Sequence, residues 1–370
     1  MEEEEWPIEN GKVSLFAIRR QQPSCLRLPA DSPHPSPFPR TPAWLWPHTL
    51  SLEAPLVAML WLAALAKMDD LALMPGVLPG LGLAVWLIYL ADRVLDAWGV
   101  PEAALSVRHL FYRRFRWPLV LGVIPAGTAY LLWLALWVVP SGLLAHSLTQ
   151  VLPIALYLVL YSVTSIRVRR WLLQAGILLL LFFINALPIP LSVRVTISLL
   201  IATGTIILIS LRWHENLENY FRKELAAGLL FAFGCTTWTR FHTLGSEGPE
   251  NWVQLILLGL LFISNLATIN AREADSEENR SRAQSTLRGS IALCVVALLA
   301  IPLDYLPASL LPLGLAIGAG LIGTEIVWQN RHRLSPEAFR VWADIAVAAP
   351  ALVVLLLPES GPGQSAACCL

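Results

Sequence analysis

The feature that most constrains this chain is a series of long apolar segments separated by short charged ones. A run of about 18 or more apolar residues is long enough to cross the hydrocarbon core of a bilayer as a helix. Of the 370 residues, 56% are hydrophobic and only 14% are charged, which is too little charge for a water-soluble domain of this length. We therefore predict an all-α polytopic membrane protein.

The apolar segments define about eleven candidate spans. They are residues 49–67, 72–91, 117–139, 142–162, 171–189, 194–211, 225–243, 252–269, 288–304, 308–329 and 341–358. Cytoplasmic loops are enriched in Lys and Arg, so the basic residues test this count. With the N-terminus inside, only Lys67, Arg194 and Arg240 of the 26 basic residues fall on the outer side. This alternation supports eleven spans and a cytoplasmic N-terminus.

The two ends of the chain differ from its centre. Residues 1–45 combine an acidic start with a proline-rich stretch and cannot bury enough apolar surface to become ordered. They also lack the basic start and apolar core of a signal peptide. We predict a disordered cytoplasmic tail at residues 1–45, a transmembrane domain at 46–358 and a short flexible tail at 359–370.

Composition also bears on location and partners. Only three lysines occur (Lys12, Lys67 and Lys223), a bias typical of GC-rich bacterial genes. We therefore expect the protein in the bacterial inner membrane. The formal net charge is zero, and we expect no nucleic-acid partner.

The segment YLADRVLDAWG, residues 90–100, carries two carboxylates where the second span ends. Asp92 and Asp96 are four residues apart and therefore share one face of a helix, where they repel each other unless a cation lies between them. Ionisable residues at a membrane edge are costly and are frequently functional. A solvated helix end is the alternative interpretation, and this short pattern does not exclude it.

A second acidic cluster, NAREADSEENRSR at residues 270–282, follows the eighth span on the same predicted face. It contains Glu273, Asp275 and Glu278, with Arg272 beside them. Two acidic helix ends on one face could together bind Mg²⁺, a hard cation that takes oxygen ligands and keeps phosphate oxygens and water in its shell. A polar loop that binds nothing is the alternative.

Basic residues on the same face could neutralise a departing diphosphate. The segment YSVTSIRVRRW supplies Tyr161, Arg169 and Arg170, and Lys223 begins the segment KELAAGLLFAFG. Arg108 follows the first acidic cluster and could also face a ligand.

These motifs resemble those of the UbiA-type membrane prenyltransferases, whose patterns are NDxxDxxxD after the second helix and DxxxD in a later inner loop. The segment IYLADRVLD matches the first pattern at Ala91, Asp92, Arg93 and Asp96, and AREAD matches the second at Arg272 and Asp275. The segment YSVTSIRVRR is similar to the family's Y-x-x-x-K-R segment.

The chain also departs from the family. Ile88 stands where the family has asparagine, Tyr89 where its first aspartate often is, and Ala271 where the second motif begins with aspartate. The family fold is a bundle of nine helices, so eleven spans imply an extra helix pair, which we place at residues 171–211.

The resemblance implies Mg²⁺-dependent transfer of a prenyl group from a prenyl diphosphate to an aromatic or other lipophilic acceptor within the membrane. It implies metal ligation by Asp92, Asp96 and Asp275, with Glu273 or Glu278 in place of the missing aspartate. The implied diphosphate contacts are Arg93, Arg108, Tyr161, Arg169, Arg170, Lys223 and Arg272.

Two other functions stay open. A catalytically degenerate relative that binds an isoprenoid lipid or a partner is favoured by the lost polar positions at Ile88 and Ala271. A transporter is less favoured, because most spans carry no charge and no internal repeat is visible.

Overall fold

The computed structural model describes residues 46–98, 107–162, 176, 222–243, 249–274 and 276–358. The predicted tails at 1–45 and 359–370 and the predicted spans at 171–189 and 194–211 lie outside the described residues. Within the described ranges the secondary structure is helical and contains no strand, which confirms the predicted all-α class.

The structure describes twelve helical segments within these ranges. The first described stretches contain α1 (Trp46–Thr49), α2 (Glu53–Met68), α3 (Val77–Trp98), α4 (Val107–Arg114), α5 (Arg116–Val138) and α6 (Ser141–Tyr157). Helix α5 includes π-helical turns at Leu119–Val123 and Leu134–Val138, and a third such turn, Leu158–Ser162, extends α6. The later stretches contain α7 (Lys223–Cys235), α8 (Thr237–His242), α9 (Pro249–Ala274), α10 (Glu277–Ala300), α11 (Leu311–Gln329) and α12 (Pro336–Leu356).

Six helices in the described part of the chain are long and apolar enough to cross a membrane. They are Val77–Ala97, Arg116–Val138, Glu250–Ala274, Glu277–Ala300, Ala308–Gln329 and Pro336–Leu356. Helix α5 has the surface of a lipid-facing helix, since Leu121 is 71% and Trp137 79% exposed. A large exposed apolar surface marks contact with a membrane or a partner. Together these helices support an integral membrane protein.

The sequence predicts one span over residues 225–243, but the structure breaks this segment at Thr236, between α7 and α8. The Thr236 hydroxyl donates to the Ala232 carbonyl at 3.0 Å, and the Thr237 hydroxyl donates to the Phe233 carbonyl at 2.9 Å. Threonine hydroxyls that bond to carbonyls one turn back often bend helices. A hydropathy pattern does not register such bonds, so it predicts an uninterrupted span.

Helix α2 is held between α12 and α3. Trp61 is fully buried and donates its indole N–H to the Val347 carbonyl of α12 at 3.0 Å. One end of α2 is fastened as well, because the Lys67 ammonium donates to the Leu355 carbonyl at 2.8 Å. These contacts hold α2 along α12 and so position α3.

Helix α7 approaches α9 very closely at Gly228. A Cβ atom at this position would lie 2.8 Å from the backbone nitrogen of Ile263 and 2.6 Å from its Cγ1. Small residues at such contacts allow membrane helices to pack backbone against backbone. Gly228 therefore sets the spacing between α7 and α9.

We expect Gly228→Ala to destabilise the protein by about 1–3 kcal/mol, because the added methyl group must push α7 away from α9. Thermal unfolding in detergent measures the effect as a lower Tm. Gly289→Ala is the matched control, since nothing lies within 4 Å of its Cβ position and alanine favours a helix over glycine. Equal Tm values for the two variants would contradict the close contact.

Candidate functional site

A cavity of about 360 Å³ lies between α3, α6, α7 and α9. Charged side chains line one end of it: Asp92, Arg93, Asp96, Lys223, Glu224, Glu273 and Arg340. The walls beyond that end are mainly apolar and include Leu81, Val85, Ile88, Ile154, Leu230 and Leu266. The size and the division into a polar and an apolar part are typical of small-molecule sites.

The polar end is organised around Lys223. Its ammonium lies 3.1 Å from Asp92 Oδ1 and 3.5 Å from Asp96 Oδ2, so one cation bridges the two carboxylates. Asp92 and Asp96 are on adjacent turns of α3, which brings their side chains to the same face. Lys223 thus supplies the cation that the spacing of the two aspartates requires.

The position of Lys223 in its own helix requires anionic partners nearby. It is the first residue of α7, where the positive end of the helix dipole disfavours a cation. The two carboxylates of α3 compensate the positive charge of the lysine and the positive end of the helix dipole. The Lys223 side chain is 37% exposed and that of Asp92 only 9%, so the cluster lies at the edge of the buried region.

Arg93 adds a second cation to the cluster. Its Nη1 lies 3.7 Å from Asp96 Oδ2 and 4.0 Å from Asp92 Oδ2. The Arg93 Nε is buried and has no hydrogen-bond partner among the described residues. One donor of the guanidinium group is therefore not satisfied by the described residues.

Glu273 lines the same cavity from α9. It accepts a hydrogen bond from Arg340 of α12 at 2.7 Å. The Arg340 side chain is 12% exposed and that of Glu273 48%, so the bond joins a buried cation to an accessible carboxylate. The structure thus brings the second acidic segment to the same end of the bundle as Asp92 and Asp96.

A smaller polar pocket of about 50 Å³ shares a wall with the main cavity. The two have Tyr89, Phe231, Leu266, Ile269 and Arg340 in common. In the small pocket, the Asn265 amide donates to Asp344 Oδ1 at 3.1 Å, and Glu53 pairs with His48. Arg340 is therefore the charged residue that borders both spaces.

Five of the predicted site residues line the cavity: Asp92, Arg93, Asp96, Lys223 and Glu273. Three others lie away from it. The Tyr161 ring packs on Tyr157 at 5.3 Å, Arg272 donates to the Leu334 carbonyl at 3.1 Å, and Glu278 forms an ion pair with Arg282. Asp275, Arg169, Arg170 and the side chain of Arg108 lie outside the described residues.

The two motif departures have different environments. Ile88 lines the cavity, so its apolar side chain enlarges the apolar wall next to Asp92. Ala271 is 1% exposed and packs in the hydrophobic core instead. On α9 the cavity face carries Asn270 and Glu273, which means that the residue aligned with the first aspartate of the second motif points elsewhere.

Sequence reasoning missed several polar residues of the region. Glu224 and Asn270 line the cavity and are hydrogen-bonded to each other, and Arg340 and Asp344 come from α12. Asp344 had a visible signal, since a lone carboxylate inside an apolar span is a functional suspect. No local sequence pattern predicts that Arg340 lines the cavity, because this depends on how α12 packs against α9.

We expect Lys223→Met to destabilise the protein by about 1–3 kcal/mol, because the buried Asp92 carboxylate loses its closest cation. Chemical or thermal unfolding in detergent measures the loss. Arg282→Met is the matched control, since it removes an exposed ion pair with Glu278 that is worth less than about 1 kcal/mol.

The double variant Asp92→Asn/Lys223→Met should recover most of this loss, because the unpaired charge is gone. If Lys223→Met cost no more than Arg282→Met, the bridging role of Lys223 would be wrong.

The described residues contain no group of three His, Cys, Asp or Glu side chains arranged to hold a metal ion. A cation at Asp92 and Asp96 would therefore need further oxygen ligands from a bound molecule. The site as a whole suits an amphiphile with an ionic head at the charged end and an apolar tail along the walls. No protein-family model, no curated protein and no solved structure matches this chain.

Proposed function

We propose that the protein transfers a prenyl group from a prenyl diphosphate to an aromatic or other lipophilic acceptor within the membrane. One observation carries the proposal: the Asp92–Lys223–Asp96 cluster closes the polar end of an otherwise apolar cavity inside a bundle of membrane helices. A prenyl diphosphate has the same division into an ionic head and an apolar tail.

The donor set fits Mg²⁺ together with a diphosphate. Mg²⁺ is commonly bound through one or two carboxylates, with substrate phosphates and water completing its shell. Asp92 and Asp96 would supply those carboxylates. When bound, the metal would neutralise diphosphate charge and so make the diphosphate a better leaving group.

Lys223 and Arg93 would also neutralise the negative charge of the diphosphate. They lie beside both carboxylates and line the cavity, so both would be near a diphosphate bound there. Donors that face the developing charge stabilise the transition state, and they do so more strongly where water is excluded. The apolar wall at Ile88 keeps water from the carbon that loses the diphosphate.

The finer assignments belong to the same proposal. We infer a UbiA-like bundle of nine helices enlarged by a helix pair at residues 171–211. We further infer a bacterial inner-membrane location with the charged end of the cavity on the cytoplasmic face. The clustering of the charged ends of α3, α7 and α9 at one end of the bundle is consistent with a site on a single membrane face.

A second function, lipid binding without catalysis, is favoured by a specific observation. The carboxylates of Asp92 and Asp96 already have two cations, Lys223 and Arg93, within 4.0 Å. Such pairing lowers their attraction for a metal ion. A protein that binds an isoprenoid lipid or a partner would need the apolar walls but not the aspartates.

Binding of farnesyl diphosphate to the purified protein, with Mg²⁺ and with EDTA, separates the two functions. For prenyl transfer we expect Mg²⁺ to strengthen binding, and Asp92→Asn/Asp96→Asn to weaken it by more than about tenfold, because each lost carboxylate removes a charged ligand.

Asp70→Asn/Asp304→Asn is the matched control. It removes two carboxylates outside the cavity, at left-handed backbone positions that asparagine tolerates. Binding that ignores Mg²⁺ and both aspartates would overturn the transferase proposal and leave lipid binding. Binding that meets both expectations would justify a screen of aromatic acceptors.

A further inference from the structure

We propose that the apolar part of the cavity accepts about three isoprene units, and that Leu81 and Gly234 set this limit. The inference rests on the proposed prenyl diphosphate site and adds the chain length of its substrate. It follows from the depth of the cavity and from the way its far end closes.

Helix α3 gives the first measure of depth. Its cavity-lining residues recur once per turn, from Asp96 and Asp92 through Ile88 and Val85 to Leu81. The eleven residues from Asp92 to Leu81 correspond to a length of about 16 Å at the helical rise of ~1.5 Å per residue. The cavity thus runs parallel to α3 for three turns below the carboxylates.

Helix α7 gives an independent measure. Its cavity-lining residues run from Lys223 through Ala227 and Leu230 to Gly234. The separation of Lys223 and Gly234 is again eleven residues, or about 16 Å. Both helices therefore place the far end of the cavity at the same depth from the charged cluster.

At the far end the Leu81 side chain of α3 reaches Gly234 of α7 and narrows the cavity. A Cβ atom on Gly234 would lie 3.5 Å from Leu81 Cδ1, which is an ordinary van der Waals distance. Gln150 of α6 lines the same region and donates to Thr237 Oγ1 beyond it. An apolar chain that passed this level would meet a buried polar side chain, which disfavours further extension.

The depth converts to a chain length. An extended covalent chain advances about 1.2 Å per bond, so an isoprene unit of four main-chain bonds spans about 4.7 Å. Three units need about 14 Å and four need about 19 Å by the same geometry. Three units fit the 16 Å from Asp92 to Leu81 and from Lys223 to Gly234, and a fourth does not.

Binding of geranyl, farnesyl and geranylgeranyl diphosphates to the wild-type protein with Mg²⁺ tests the limit. We expect farnesyl diphosphate to bind about tenfold or more tightly than geranyl diphosphate, because one further unit is buried. Geranylgeranyl diphosphate should bind no more tightly than farnesyl diphosphate, since its last unit finds no apolar wall.

Gly234→Leu fills the far end and should lower the affinity for farnesyl diphosphate about tenfold, with little change for geranyl diphosphate. Gly80→Leu is the matched control, because it adds the same side chain next to Leu81 on α3, outside the cavity and with nothing within 4 Å of its Cβ position. Leu81→Ala should act in the opposite direction and raise the affinity for geranylgeranyl diphosphate relative to farnesyl diphosphate, a gain that misfolding cannot produce.

The outcomes separate the inference from the function on which it depends. If no diphosphate bound in a manner that requires Asp92 and Asp96, the proposed function itself would fail. If all three bound through the aspartates with affinity rising at each added unit, or if Gly234→Leu changed all three equally, the length limit alone would be wrong.

Discussion

A charge inside a membrane bundle must be compensated, and the compensation of Asp92 and Asp96 by Lys223 decides where this cavity is polar. The three side chains come from α3 and α7, which are far apart in the chain. Without the lysine, only the more distant Arg93 would separate two neighbouring carboxylates in a poorly solvated space. Because the opposite charges lie together at one end, the walls beyond that end can be mainly apolar.

Two glycines of α7 show how one helix serves both packing and binding. Gly228 faces α9, where a single methyl group would overlap the backbone of Ile263. Gly234 faces the cavity, where a methyl group would meet only the end of the Leu81 side chain. Gly228 brings α7 and α9 together, and Gly234 leaves space between α7 and α3.

The polar residues of α12 connect the cavity to the core of the bundle. Arg340 borders both the main cavity and the small polar pocket, and its bond to Glu273 ties α12 to α9. Because Trp61 and Lys67 fasten α2 along α12, the position of Arg340 at the charged end of the cavity depends on how α2 and α12 pack together. A change far from the aspartates can therefore alter the position of the groups around them.

Local patterns predicted much of the fold and part of the site. Hydropathy located the long apolar helices of the described ranges, because burial in lipid requires long apolar segments, but it did not predict the polar helix α4. It missed the break at Thr236, which depends on side-chain hydrogen bonds. The four-residue spacing placed Asp92 and Asp96 on one face correctly. The sequence indicated Glu273 as a site residue, but the alignment of Ala271 with a motif aspartate did not predict that Ala271 would be buried and that Asn270 would line the cavity, because the orientation of α9 depends on its neighbours.

The sequence by itself determined the all-α membrane class and the shared face of the two aspartates, since both follow from the composition and periodicity of single segments. Only the tertiary structure decided that Lys223 lies between those aspartates, that Arg340 pairs with Glu273 and that Leu81 meets Gly234 at the far end. The physical reason is that each of these contacts joins helices distant in the chain, and their relative depth and rotation are set by side-chain packing that no local pattern records.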